Sequence, residues 1–435
     1  MKKLLCIGLS LILAMGLISG CGSTAKSTVS EDKHSGTTLT LVTCNDYVDE
    51  VEAVAKAYQK LHPDVTIRTE PYSFDQLFET IEIKLGSEDS SFDLIYVDGP
   101  MVSGYGYRNF LEPLDSYFTE EEMAEYTEAS RNASMYDGKF LAAPLNSSSG
   151  VLVYNKDLLD RAGLPYPSRN IADRMTWEEL QDNLVVFQEK LDPNHKNGIW
   201  AFSFDQISRP YQILPLPNSL GGQGVKDGYL VSDVLNDEAW NKSMQFYSDL
   251  HNTLGVAPKG LAANETIELF VAGKMGYFIS GTWIVDSVKA NPDLNWDYAP
   301  FPYFEDGTAA TPTGSWHLGV SKFSKNKEVA ADFVKFMSVG EGNEILLDLY
   351  PQVAARTERL EKDLKSGDEF PVSLFALAAE EALTTAVPRP ITPGYREWEQ
   401  VVGNMMEDIR NGADVQESLD MAVSQLEGAM AKYAK

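Results

Sequence analysis

The chain has 435 residues, 43% of them hydrophobic, and a formal net charge of −28. That apolar content is ordinary for a globular protein and excludes a chain disordered throughout, while so acidic a body is repelled by nucleic acid and by anionic lipid surfaces, which excludes nucleic-acid function. Of the 3 cysteines, Cys6 and Cys21 lie at the N-terminal end and only Cys44 remains further on, so an internal disulfide is excluded as well.

At the N-terminus, Lys2 and Lys3 precede an almost wholly apolar run from Leu4 to Ile18, followed by Ser19, Gly20 and Cys21. A positive start, an apolar run and small residues before a cleavage point read as a secretory signal over residues 1–20, too short for a comfortable membrane span. Ile18-Ser19-Gly20-Cys21 resembles the lipobox of bacterial lipoproteins. The resemblance implies cleavage before Cys21 and lipidation of its thiol, with each acyl methylene buried in the bilayer contributing about 0.8 kcal/mol. Residues 21–36 are small and polar and read as a flexible tether. The roughly 400 residues that follow are enough for two domains.

Leu39 to Thr43 is a short β-like run. Val48, Val51, Val54, Ala55, Tyr58 and Leu61 then recur at helical spacing, and His62-Pro63 ends that helix. Val65 to Thr69 reads as a strand, Asp75 to Leu85 as a second amphipathic helix, and Phe92 to Val97 as a near-continuous apolar strand. This β-α-β-α-β order predicts a parallel sheet with helices on both faces and a ligand site beyond the carboxyl ends of the strands, where Asp46, Tyr47 and Asp98 fall. Phe140 to Pro144 and Val151 to Tyr154 read as strands, and the small polar residues between them suggest a bend or crossover. Thr176 and Glu179 form a capping-box pattern ahead of a helix over 177–191. Strands are predicted at 199–204, 274–280, 296–301 and 316–322, and helices at 239–254, 266–272, 282–290 and 327–337. From Glu341 onward the chain is mainly helical, and its last helix places Leu419, Ala422, Leu426 and Met430 on one face.

Four segments carry a family resemblance. Gly138 to Leu145 runs into Val151 to Leu159 with Tyr154-Asn155-Lys156 at its centre; Phe270 to Trp283 ends in Gly281-Thr282-Trp283; Gly314 to Lys322 contains Ser315-Trp316-His317; and Pro390 to Tyr395 contains Pro393-Gly394-Tyr395. Together they resemble the maltose-binding-protein-like family of bacterial extracellular solute-binding proteins over nearly the whole chain after the tether. The resemblance implies an α/β fold: a two-lobed periplasmic-binding-protein-like clamp, each lobe a mostly parallel sheet flanked by helices, joined by a multi-segment hinge. Laid on this sequence, it puts lobe 1 at 37–147 and 282–338, lobe 2 at 148–281 and 339–435, and crossovers near 145–150, 279–283 and 336–341. It implies capture of a carbohydrate, of oligosaccharide size, for delivery to the permease subunits of an ABC importer. It also implies a monomer without a cofactor, held at the cell surface or periplasmic face of the membrane by lipid at Cys21.

A sugar offers hydroxyls and apolar C–H faces, so its site needs aromatic plates and planar hydrogen-bonding groups. Trp283, after a strand, is the first candidate plate, with anchoring of a helix start as its rival use. Trp316, at the head of a strand, is the second, with strand packing as its rival. Asp98 ends an apolar strand and faces the cleft if the sheet is parallel, or else caps the next short helix. Asp46 and Tyr47 either reach ligand or simply open a helix. Asn146 and Ser147 lie at the first crossover and could instead satisfy bent backbone. By the resemblance Tyr395 lies against ligand; Arg389 and Tyr211 complete the set, with a structural salt bridge and a loop ring resting on the core as their rival uses.

The five His residues have no metal-ligand spacing, and neither Gly-x-Ser-x-Gly nor a phosphate-binding Gly-x-x-x-x-Gly-Lys-[Ser/Thr] occurs. No metal and no enzyme activity are therefore expected. The alternatives are a secreted carbohydrate-active enzyme, which needs two carboxylates across a sugar, and the same clamp with a non-sugar ligand. The acidic pairs Glu120/Glu121 and Glu380/Glu381 are expected on polar helix surfaces.

Overall fold

The computed structural model describes residues 36–434 except Gln206, Ser315, Pro351, Asp368 and Pro371. The expected signal segment, the lipidation expected at Cys21 and the expected tether up to residue 35 lie outside the described residues. In chain order the strands are β1 (Thr37–Cys44), β2 (Val65–Tyr72), β3 (Leu94–Asp98), β4 (Met135–Tyr136), β5 (Lys139–Phe140), β6 (Ala142–Pro144), β7 (Gly150–Asn155), β8 (Trp200–Phe204), β9 (Met275–Gly281), β10 (Trp296–Ala299), β11 (Thr311–Thr313), β12 (Trp316–Val320) and β13 (Ala386–Pro388).

The first sheet runs β2-β1-β3-β12-β6. β1 is parallel to β2 and β3, and β12 runs antiparallel between β3 and β6. β3 is apolar up to its last residue, Asp98, because both its faces are covered. Leu94 and Tyr96 pack with Val51, Val54, Ala55 and Tyr58 of the helix Val48–Leu61. Ile95 and Val97 pack with Leu77, Phe78, Ile81 and Leu85 of the helix Phe74–Gly86. The near-continuous apolar run of the strand and the three-to-four spacing of the helices are the patterns visible in the sequence. Asp93, buried just before β3, locks the sheet: its Oδ2 accepts the Thr40 amide at 2.9 Å and its Oδ1 accepts Ser324 Oγ at 2.5 Å.

The second sheet runs β10-β7-β9-β8. β7 is antiparallel to β10 and β9, and β8 is parallel to β9. Three strands of this sheet, β8, β9 and β10, thus share one direction, and β7 alone runs against them. β7 leaves the first crossing and runs away from it, whereas β8, β9 and β10 run back, so their carboxyl ends face the gap between the sheets. The capping box predicted at Thr176 and Glu179 is present and starts the helix Trp177–Leu191.

The expected lobe boundaries need correction. Trp296–Ala299 belongs to the second sheet, and Ile284 and Val288 pack with Val151 and Val153 beneath it, so residues 282–338 do not all lie with the first sheet. The helix starting at Ile284 is a single turn, and the chain folds back to add β10 to the open edge of β7 before crossing at 300–315, not at 279–283. The helix Glu341–Leu349, expected on the second lobe, contributes Leu346 to the core beside Val334 and Met337 of the first. The last crossing thus falls after 350, not at 336–341. The crossing segments lie side by side: Ser147 Oγ bonds Thr313 Oγ1 at 2.8 Å, and β11 pairs in parallel with β13.

Glu381 is a further correction. Unlike Glu120 and Glu121, it is not on a polar surface but fully buried, and its carboxylate takes both Arg174 amino groups at 2.7 and 2.9 Å and the Thr311 hydroxyl at 2.8 Å. It joins the second sheet's helical layer to β11. Glu381→Ala would leave a buried guanidinium without its partner; a loss of about 3–5 kcal/mol is expected, measured by denaturant unfolding against wild type.

Candidate functional site

The carboxyl ends of the parallel strands in both sheets open on one cleft of about 720 Å³. From the first sheet come Asp46, Tyr47 and Glu50 after β1, Phe74 after β2, Asp98 at the end of β3, and Trp316, brought to the same edge because β12 is reversed. From the second come Arg209 and Tyr211 after β8 and Trp283 with Asp286 after β9. Asn146, Ser147, Gly314 and Arg389, on the crossing segments, form the floor.

The floor is organised by Asp98. Its carboxylate, 5% exposed, is gripped by both amino groups of Arg389, one at 2.8 Å, and approached by Arg209 Nη2 at 3.5 Å. Burial pushes the Asp98 carboxyl up, but the attraction and hydrogen bonds of Arg389 with the charge of Arg209 outweigh it and hold the group below its ordinary 3.8. Arg209 also binds Glu399 Oε1 at 2.7 Å, and the Tyr395 hydroxyl donates to the same oxygen at 3.0 Å. The buried charges of Asp98, Arg389 and Arg209 thus have partners inside the protein.

Aromatic rings form the walls. Trp316 sits among Tyr47 at 5.5 Å, Phe74 at 6.0 Å, Tyr96 at 5.1 Å and Phe78, which lies parallel to it at 6.3 Å. Tyr350 meets Tyr47 edge-on at 5.2 Å. On the other wall Tyr211 lies 6.4 Å from Trp283 and under Arg389, whose guanidinium carbon is 4.9 Å from the ring centre. The Tyr211 hydroxyl is 2.6 Å from Ser148 Oγ, which accepts the Gly314 amide at 2.9 Å. The Trp283 indole N–H donates to Asp205 Oδ2 at 2.7 Å.

The cleft brings together Asp46, Tyr47, Asp98, Asn146, Ser147, Tyr211, Trp283, Trp316 and Arg389. Tyr395 is the exception: at 1% exposure it lies behind Arg389, 3.5 Å from Nη1, and supports the floor without reaching the cleft. It opens the helix Tyr395–Arg410, whose apolar face is buried, and this turns the ring inward. The oxygen of Asn146 is occupied by the Trp316 amide at 2.9 Å, and Ser147 is tied to Thr313, so both serve the bent backbone as well as lining the cleft. Phe74, Arg209 and Asp205 were missed, although all three follow the carboxyl ends of strands, where the rule that found Asp98 would have found them. Tyr350 and Gln352 carry no such signal, because they follow a helix. Among the described residues no group of His, Cys, Asp and Glu side chains is arranged to hold a metal ion.

Residues 46–343 match a family model described as bacterial extracellular solute-binding protein. The chain is 25% identical over 416 residues to the diacetylchitobiose binding protein DasA of Streptomyces coelicolor, covering 92% of this chain and 91% of that one. It is 20% identical over 328 residues to the mannitol-binding protein of Pseudomonas aeruginosa, covering 72% and 71%. Its fold is similar to that of an ABC substrate-binding protein from Listeria monocytogenes in complex with cycloalternan, with a TM-score of 0.78 and 20% identity over 91% of this chain and 99% of that one.

Asp98 yields a prediction with a definite sign. Because its folded-state pKa lies below the unfolded value, its contribution to stability is complete above about pH 4 and is lost as pH falls through the lowered value. Asp98→Asn removes the charge that Arg389 requires, at an expected cost of about 3–5 kcal/mol near neutral pH. The gap between wild type and variant, read from urea unfolding at a series of pH values, should narrow as the solution is made more acidic than pH 4. A gap that stays constant down to pH 2 would contradict the assignment.

Proposed function

Because the chain belongs to the bacterial extracellular solute-binding proteins, we propose that it captures an uncharged carbohydrate of oligosaccharide size and delivers it to an ABC importer. The observation that carries this reading is the pairing of aromatic plates across one cleft, Trp316 and Tyr47 on one side, Trp283 and Tyr211 on the other. Such rings offer flat apolar area to the C–H faces of a sugar, while their polar ends and the neighbouring Asp46, Glu50, Asn146 and Asp286 are placed for hydroxyls. The volume of about 720 Å³ lies within the usual range for small-molecule sites. Charge argues for a neutral ligand. Arg389 and Arg209 are already committed to Asp98 and Glu399, and the exposed Lys289 is paired with Asp286, so among the described residues the cleft has no buried cation to spare for an anionic sugar.

The arrangement also supports a clamp. Both sheets contribute wall residues, and extended crossing segments carry the chain between them, a connection that permits closure over a ligand favouring the closed form. In this reading the closed form docks on the importer as a monomer, no chemistry is done on the sugar, and lipid on Cys21 holds the body beside the membrane at the cell surface or periplasmic face. Relatives whose names specify diacetylchitobiose and mannitol support the ligand class without fixing the sugar.

A panel of mono- and oligosaccharides in a thermal-shift assay tests this. A sugar present at 100 times its Kd should add about 2.7 kcal/mol to the stability of the folded body. Trp283→Ala should weaken binding of that sugar by about 1–3 kcal/mol, measured by calorimetry, while leaving the unfolding midpoint of the free protein within a few degrees. No stabilisation by any member of the panel would overturn the proposal.

A further inference from the structure

The orientation of the Trp283 ring is fixed by residues that do not themselves line the cleft. Asp205 follows β8, and its amide donates to the Ile279 carbonyl of β9 at 2.8 Å, which places its side chain beneath the indole. A single oxygen, Oδ2, accepts from both Trp283 Nε1 at 2.7 Å and Ser280 Oγ at 2.8 Å. The ring is confined on another side by Gly281: a Cβ built there would stand 2.1 Å from Trp283 Cζ3 and 2.3 Å from Cη2. The indole therefore lies flat against backbone, with its N–H edge anchored by a carboxylate.

Asp205 is 5% exposed and, among the described residues, forms no ion pair. Burial pushes its carboxyl up, against the opposing effect of the two donors, to about 6. An unpaired buried acid is a costly way to satisfy a serine, since an apolar pair of the same shape would serve packing as well. Its use here is to aim the indole. An anchored N–H leaves the ring one way to lie, and a plate already in place loses less freedom when a ligand stacks on it.

We propose that Asp205 is a positioning residue for Trp283, acting on ligand capture only through the orientation of that ring. The inference rests on the reading of Trp283 as a sugar-stacking plate, and the experiment separates the two. Wild type, Asp205→Ala, Asp205→Asn, Trp283→Phe and the double variant Asp205→Ala/Trp283→Phe are compared in two ways. Acrylamide quenching of the emission that Trp283→Phe removes needs no sugar. Asp205→Ala should make that emission more quenchable, and Asp205→Asn should leave it near wild type, because an amide oxygen can replace Oδ2. Equal quenching in Asp205→Ala and wild type overturns the proposal, whatever the protein binds.

The second measurement titrates diacetylchitobiose, mannitol and cycloalternan by calorimetry. For any of these that wild type binds, Asp205→Ala should weaken Kd about tenfold or more, and Asp205→Asn should recover most of that loss. In the Trp283→Phe background, removing Asp205 should cost almost nothing further, because the two act as a unit. An equal additional loss in that background would show that Asp205 acts independently of the indole, and would overturn the proposal. If wild type binds no sugar at all, it is the functional reading that fails, and the quenching result still decides the role of Asp205.

Discussion

The cleft depends on one buried electrostatic arrangement, the grip of Arg389 on Asp98. Asp98 is the last residue of a strand in the first sheet, Arg389 follows β13 on the final crossing, and Arg209, on the loop after β8, brings the second sheet to the same carboxylate. Burying these charges separately would cost several kcal/mol each, and their mutual attraction together with the hydrogen bonds from Tyr395 and Arg209 to Glu399 offsets that cost. The arrangement is directional in a way that apolar packing is not. A guanidinium grips a carboxylate in one plane, so it fixes where the crossing passes beneath the cleft and how Tyr211, against which Arg389 stacks, faces the opening.

On this floor the walls are built by contrasting means. Trp316 is held by other rings: Tyr47, Phe74, Phe78 and Tyr96 surround it, and its backbone amide is taken by Asn146. Trp283 has Tyr211 at a distance, a glycine against its face and a carboxylate at its edge. Ring packing is apolar and tolerates small adjustments, whereas a hydrogen bond from an indole N–H fixes a direction. Because both walls rise from the carboxyl ends of strands, the same backbone geometry that builds the sheets delivers side chains to the gap. The reversed strands β12 and β7 fit this scheme: β12 begins at the cleft, and β7 carries the chain out of it.

The sequence carried most of the element pattern because its signals are local. The continuous apolar run of β3, the three-to-four spacing of Val51, Val54, Ala55 and Tyr58, and the Thr176–Glu179 cap are each set by residues close together in the chain, and each has its counterpart in the structure. The end-of-strand rule placed Asp46, Tyr47 and Asp98 at the cleft from order alone. The failures came where distant segments compete. Nothing near Trp296 tells which open sheet edge β10 will join, and nothing near Glu381 shows that Arg174 will meet it in the interior. Tyr395 follows a Pro-Gly turn like a loop aromatic, yet the amphipathic helix it begins turns it inward.

By itself the sequence determined an α/β chain of two strand-and-helix series, a polar bend near Asn146, and a set of aromatic and carboxylate residues at strand ends, because periodicity, capping and turn chemistry act over a few residues. Only the tertiary structure decided which crossings connect the sheets, that Asp98 is shared between arginines from separate segments, and that Asp205 lies under Trp283. Those depend on backbone direction and on charges and rings tens to hundreds of residues apart meeting in a low-dielectric interior, where a pair is strong only if its geometry is correct.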